Sequence, residues 1–197
     1  MMKEKFAEML RSTGREGVEI VLRNLDKLGF FEAPASTVFH LNVSGGLLEH
    51  SMNVCEMAMM LREQLIARDA SLEAKLPLDS VILVSLLHDV CKSEVYKKGT
   101  RNKKIDGVWH EVDVYEVDYS ACPLGHGEKS VIRLMQWGLK LSMDEILAIR
   151  WHMGAWDLAF QSAEMKGNIS AAKDKAPLCT LLQCADGLAS GILESKK

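Results

Sequence analysis

Four histidines and two aspartates stand where the surrounding sequence asks for apolar side chains. In VILVSLLHDVCK, His88 and Asp89 follow seven residues of nearly pure core composition. An ionised carboxylate in that setting is costly unless it is paired or holds a metal. Asp186 repeats the anomaly in LCTLLQCADGLA. His50 lies on the apolar stripe of its segment, three residues after Leu47 and four before Val54, so it is expected to point inward. His152 ends the apolar run EILAIRW, and His126 stands between two glycines in PLGHGEKS, where backbone can approach closely. Taken singly, an inward histidine is most often a satisfied core residue, and a buried aspartate most often a cap or ion-pair partner. As a set, four of the chain's six histidines and two carboxylates suit one or two first-row transition metals.

The elements that must position these residues are mainly helical. Residues 2–12 and 16–28 read as short amphipathic helices, separated at Gly14 and ended at Gly29; residues 29–43 carry no helical period and read as a loop. Ser44 is expected to cap a helix running to about Arg68, with the stripe Leu47, Val54, Ala58, Leu61 and Leu65. Pro77-Leu78-Asp79 opens a helix too uniformly apolar for a surface position. Between about 94 and 119, β-branched and aromatic residues flank a Gly/Asn/Lys-rich turn, which predicts an inserted β-hairpin. Helical signal returns over 125–137 and after Ser142, where Ser142-Met-Asp-Glu145 has the capping-box pattern. Residues 153–175 read as a loop with short helical pieces, and a last helix spans about 176–193. The expected fold is all-α with a small hairpin: one domain, 1–197, in which the N-terminal helices (1–43) pack on a helical core (44–193).

Composition narrows the function. The 197 residues carry 24 Lys+Arg against 27 Asp+Glu, a net charge of −3, which argues against a dedicated nucleic-acid coat or a membrane-surface protein. No run approaches the roughly 20 apolar residues of a membrane span, and the N-terminus lacks the apolar core of a signal peptide. The five cysteines (55, 91, 122, 179, 184) include no CxxC pair, and four of them read as small buried hydrophobes. A cytoplasmic setting is expected.

The order His50, His88-Asp89, His126, His152, Asp186 resembles the H…HD…H…H…D succession of the HD superfamily of metal-dependent phosphohydrolases, an all-helical group. The contexts GGLLEHS, LLHDVCK, GHGEKS, WHMG and CADGLA are similar as well, over about residues 44–190. The resemblance implies that His50, His88, Asp89 and Asp186 hold one metal, and that Asp89 bridges to a second held by His126 and His152. Two departures stand out. Val90 and Cys91 replace the usual residues between the doublet and Lys92, and the fourth motif has one histidine where the family often has two. The implied cofactor is one or two divalent ions (Fe, Mn, Zn, Co or Ni). The implied chemistry is hydrolysis of a nucleotide or other small phosphate ester by a hydroxide that two such ions generate near neutral pH. Lys92, one helical turn from His88, and Lys129 would contact phosphate oxygens as point charges, with Asp89 and Lys92 the residues closest to the reaction. An HD-type mixed-valent di-iron oxygenase would use the same six ligands. A non-catalytic module is disfavoured because all six positions are filled, and RNA is a weaker candidate substrate than a small diffusible one.

Three further features are read more conservatively. Lys97, Lys98, Arg101, Lys103 and Lys104 are placed at the hairpin tip, as a solvated loop or a phosphate-attracting rim. Trp109, Tyr115 and Tyr119 are read as hairpin packing in preference to base-stacking platforms. Trp151 and Trp156 are read as core or pocket wall.

Overall fold

A computed structural model describes residues 1–118, 120, 124–154 and 163–194. Nine helices and one hairpin make up these residues in the order α1 (Met2–Ser12), α2 (Val18–Lys27), α3 (Gly46–Arg68), α4 (Leu78–Leu87), α5 (Lys92–Val95), β1 (Tyr96–Ile105), β2 (Val108–Val117), α6 (His126–Gln136), α7 (Met143–Trp151), α8 (Ala163–Lys175) and α9 (Pro177–Leu188). A 3₁₀ turn, Ala70–Lys75, precedes α4, and a π-turn, Ala189–Leu193, follows α9. The architecture is thus mostly α with one two-stranded antiparallel sheet, as the residue pattern predicts.

The uniformly apolar segment becomes the central helix. Every residue of α4 from Ser80 to Leu87 is buried, because α1, α3, α7 and α9 all pack against it. One apolar cluster runs through these helices from Phe6 to Ala189. Only the first half of α3 joins it: Leu47, Val54 and Ala58 are fully buried, Leu61 is partly so, and Leu65 is exposed. The predicted stripe is therefore right for three turns and then leaves the core.

Several local expectations are corrected. Ser44 does not cap α3; its hydroxyl donates to the Glu32 carbonyl, and the helix begins after Gly45, which sits at φ 82°. Residues 163–175 form one 13-residue helix rather than fragments. The last α-helix stops at Leu188 and continues as the π-turn. Cys184 is exposed, whereas Cys55, Cys91 and Cys179 are buried; Cys122 lies outside the described residues. The hairpin turns at Asp106-Gly107, both at positive φ, the conformation that a two-residue type I′ loop requires. The five cations consequently lie along β1 and not at the tip. Trp109 faces solvent opposite Lys104 instead of packing, while Tyr115 is half-buried opposite Lys98. Trp151 is buried in the core cluster; Tyr119 and Trp156 lie outside the described residues. No single helix among the described residues is long and apolar enough to cross a membrane.

Two local devices set the helices around the site. Ser142 and Glu145 form the predicted capping box: the Glu145 amide donates to Ser142 Oγ at 3.2 Å, and the Ser142 amide to Glu145 Oε2 at 2.7 Å. Gly127 lets α6 approach α7, since a Cβ there would lie 2.6 Å from the Arg150 carbonyl oxygen and 2.7 Å from that of Ile149.

Candidate metal centre

All six singled-out residues sit at or near helix ends, and those ends meet. His50 lies in the second turn of α3, His88 and His152 are the residues that follow α4 and α7, His126 opens α6, and Asp186 is in the last turn of α9. His88 and His152 gain a fixed orientation from this placement. A helix C-terminus leaves carbonyls without an amide partner. His88 Nδ1 donates to the Ser85 carbonyl at 2.9 Å, and His152 Nδ1 to that of Ile149 at 2.6 Å. With Nδ1 holding the proton, the Nε2 lone pair of each ring is turned into the centre.

Asp89 divides the centre into two halves. Its Oδ2 lies 3.3 Å from His88 Nε2, 3.6 Å from His50 Nε2 and 2.6 Å from Lys92 Nζ. Asp186 Oδ1 joins this half at 3.4 Å from His50 Nε2. Asp89 Oδ1 faces the other way, 3.4 Å from His126 Nε2 and 3.6 Å from His152 Nε2. The Nε2 atoms of His50 and His88 are 3.3 Å apart, and those of His126 and His152 are 3.0 Å apart.

The donor set fits cations. Nitrogen lone pairs that face each other at such distances repel unless a proton or a metal lies between them. Asp89 Oδ1 is buried yet accepts no hydrogen bond, a cost that a cation would offset. Among the described residues three triads have their donor atoms grouped closely enough for one ion: His50, His88 and Asp186; His88, Asp89 and His152; and His40, His50 and Glu194. Imidazole and carboxylate together select borderline first-row metals over Ca²⁺ or Mg²⁺.

The electrostatics divide the four imidazoles: burial prevails at His88 and His126, whereas against burial Asp89 raises His152 and, with Glu194, His50. Burial pushes the His88 pKa down and that of His126 to about 3, against the pull of Asp89, so both are neutral donors. Burial also opposes charge on His50, but the carboxylates of Asp89 and Glu194 win and raise its pKa to about 9. Asp89 is buried as well, a condition that favours its neutral form; Lys92 and His88 outweigh it and hold the carboxyl well below the usual range. Lys92 keeps its proton against burial because Asp89 is in contact with it.

A cavity of about 660 Å³ opens beside the centre. Lys92, His126, Lys129, His152 and Asp186 form its polar wall, and Phe39, Val95, Tyr96, Val117 and Leu124 its largely apolar one. Lys92 is therefore neither a solvated lysine nor detached from the doublet; its side chain is 12% exposed. Lys129 is buried in the same wall. Cys91, one of the departures around the doublet, ties that segment to α6: its thiol donates to the His126 carbonyl at 3.3 Å. Burial raises the thiol to about 12, so it is a packing group and not a nucleophile.

Three residues near the site carried little signal in sequence. Glu194 contacts His50 Nδ1 at 3.0 Å, Asn53 Nδ2 donates to Glu194 Oε1 at 3.1 Å, and His40 Nε2 is 3.8 Å from Glu194 Oε2. Asn53 follows His50 by three residues on one helix, which was a readable cue. Glu194 in LESKK reads as an ordinary terminal charge, and His40 lies in a segment without period.

Over 88 residues the chain is 31% identical to the dihydroneopterin 2′,3′-cyclic phosphate phosphodiesterase of Methanocaldococcus jannaschii. The alignment covers 45% of this chain and 32% of that protein, so the chain spans about a third of the relative's length. No family model matches the chain, and no solved structure does.

Proposed function

We propose that the chain is a metal-dependent phosphohydrolase built as a single HD-type helical domain, acting on a small phosphate ester. One observation carries the reading. Asp89 presents one carboxylate oxygen to the His50/His88/Asp186 group and the other to His126 and His152, as a carboxylate shared by two ions must. In this reading His50, His88, Asp89 and Asp186 would hold one divalent ion, and Asp89, His126 and His152 would hold a second. Such a pair would supply a nucleophilic hydroxide near neutral pH and charge compensation for phosphate oxygens.

The chain's own residues do the rest. Lys92 Nζ, on the cavity wall, offers a fixed cation to a non-bridging phosphate oxygen, and Lys129 a second. Tyr96, Phe39 and Leu124 provide an apolar wall for the organic part of the ester, at a volume suited to a nucleotide-sized molecule. Helix-end carbonyls keep His88 and His152 in one tautomer, so no reorganisation is needed when the donors engage. The relative's name makes a 2′,3′-cyclic phosphate the first ester to offer.

The test reconstitutes the protein separately with Mn²⁺, Fe²⁺, Co²⁺, Ni²⁺ and Zn²⁺. Each form is offered p-nitrophenyl phosphate, bis-p-nitrophenyl phosphate and 2′,3′-cyclic nucleotides without oxygen. Ester cleavage in at least one metal form is expected. Oxygen consumption with a mixed-valent iron EPR signal, and no ester cleavage in any form, would replace the hydrolase with the oxygenase.

A further inference from the structure

One buried carboxylate near the centre has no part in the scheme above. Glu194 lies directly after the π-turn that follows α9, 144 positions from His50, and its side chain is 1% exposed. Both oxygens lie within hydrogen-bond distance of His50 Nδ1, at 3.1 and 3.0 Å, and Oε1 also accepts from Asn53 Nδ2.

His50 differs from His88 and His152 in its place on the helix. Those two terminate helices and use carbonyls that the helix leaves unpaired. His50 is inside α3, where the carbonyls one turn back already accept helical amides. The partner that Nδ1 uses comes instead from another element. The turn after α9 brings it, and α9 itself carries Asp186, which faces the Nε2 side of the same ring.

We propose that Glu194 is the positioning residue for His50: its carboxylate holds Nδ1–H, orients the ring with Nε2 toward Asp89 and Asp186, and so makes the turn after α9 a working part of the metal centre. The proposal rests on the metal reading above. Outer partners of this kind hold ligand orientation and basicity, and their loss weakens metal binding by about 10–100-fold. Because Glu194 and Asp186 are carried by one continuous segment, a shift of that segment moves a ligand and a ligand's support together.

The experiment uses the full chain as wild type, Glu194→Ala and Glu194→Gln, each stripped with chelator and titrated with Co²⁺. Affinity by competition, the visible d–d spectrum and the thermal midpoint of the stripped protein are read in parallel. Glu194→Ala is expected to lose about 10–100-fold in affinity at one site, with an altered d–d spectrum. Gln still accepts the Nδ1 hydrogen but brings no charge, so Glu194→Gln should fall between alanine and wild type. A lower thermal midpoint with unchanged affinity and spectrum would make Glu194 a structural tether only and overturn the proposal. If the alanine variant does not fold, Glu194→Gln decides alone, and identity with wild type in affinity and spectrum overturns it. No Co²⁺ uptake by wild type would instead remove the metal reading, and this proposal with it.

Discussion

Asp89 turns one oxygen to each half of the centre, so its charge serves both halves at once. Asp89→Asn keeps the volume and removes that charge. Metal content should fall, and ester hydrolysis by at least about 100-fold, the scale of a single charge-stabilising group. Metal stoichiometry and kcat measured on the same preparation check this; an Asn variant with both ions and full activity excludes a shared carboxylate. Lys92 is the opposite case. Its ammonium is 2.6 Å from Asp89 Oδ2 and competes with a cation for that oxygen. Lys92→Ala should therefore retain metal, with equal or tighter affinity, while kcat/KM for phosphate esters drops. Loss of metal in Lys92→Ala would assign the lysine to holding the doublet in place.

At the scale of elements, the separation of α6 and α7 decides whether His126 and His152 can meet. Their Nε2 atoms are 3.0 Å apart because Gly127 has no side chain to press on the Arg150 and Ile149 carbonyls. Backbone oxygens cannot swing aside as a side chain can. Gly127→Ala should push α6 outward and destabilise by about 1–3 kcal/mol, as overpacking does. It should also lower metal stoichiometry from two to one, leaving the His50/His88/Asp186 side filled. Elemental analysis beside a urea transition measures both effects. The hairpin borders the cavity only at its base, through Tyr96 and Val117. Its strands are mostly exposed and pair only with each other among the described residues. Replacing residues 99–114 by a short turn should leave metal content unchanged and the thermal midpoint within a few degrees. An isolated two-stranded ribbon has little stability to contribute. A changed KM for anionic esters in that variant would give the β1 cations a part in substrate capture.

An ion network at the starts of α4 and α7 ties three parts of the chain together. Glu145 is fully buried, caps α7, and accepts from Ser80 Oγ at 2.7 Å and from Arg15 Nη2 at 2.5 Å. Arg15, in the turn between α1 and α2, also reaches Asp79 at the start of α4 at 3.0 Å. One guanidinium thus joins the N-terminal pair of helices to the two helices that end in His88 and His152. Glu145→Ala removes one half of the capping box, the acceptor of the Ser142 amide, and takes a partner from Arg15 and Ser80. Breaking a buried pair from one side costs about 3–5 kcal/mol, and since Arg15 is a quarter exposed, a loss near the lower value is expected. The check is urea unfolding of chelator-treated protein, in which metal cannot mask the change; a loss below about 1 kcal/mol would show the pair to be solvated.

What the sequence determined by itself is the set of elements and the anomaly within them. Pro77-Leu78-Asp79 and an unbroken apolar run predict α4, apolar periodicity predicts the first three turns of α3, Ser142-x-x-Glu145 predicts the start of α7, and β-branched and aromatic residues around a turn predict the hairpin, because each depends on neighbours a few positions apart. The same local logic marks His50, His88, Asp89 and Asp186 as polar residues in apolar company. Other features were decided by contacts across the chain. Leu65 repeats the stripe of α3 yet is exposed. The placing of the β1 cations on a strand and not at a tip is an exception, since it follows from a turn at Asp106-Gly107, a local signal present in the sequence. Glu194 reaches His50 from 144 residues away, and the two faces of Asp89 exist only once α3, α4, α6, α7 and α9 bring their ends to one point. Local pattern records which side chains avoid water. Which of them meet depends on helix packing, and there a single glycine between α6 and α7 carries as much weight as a ligand.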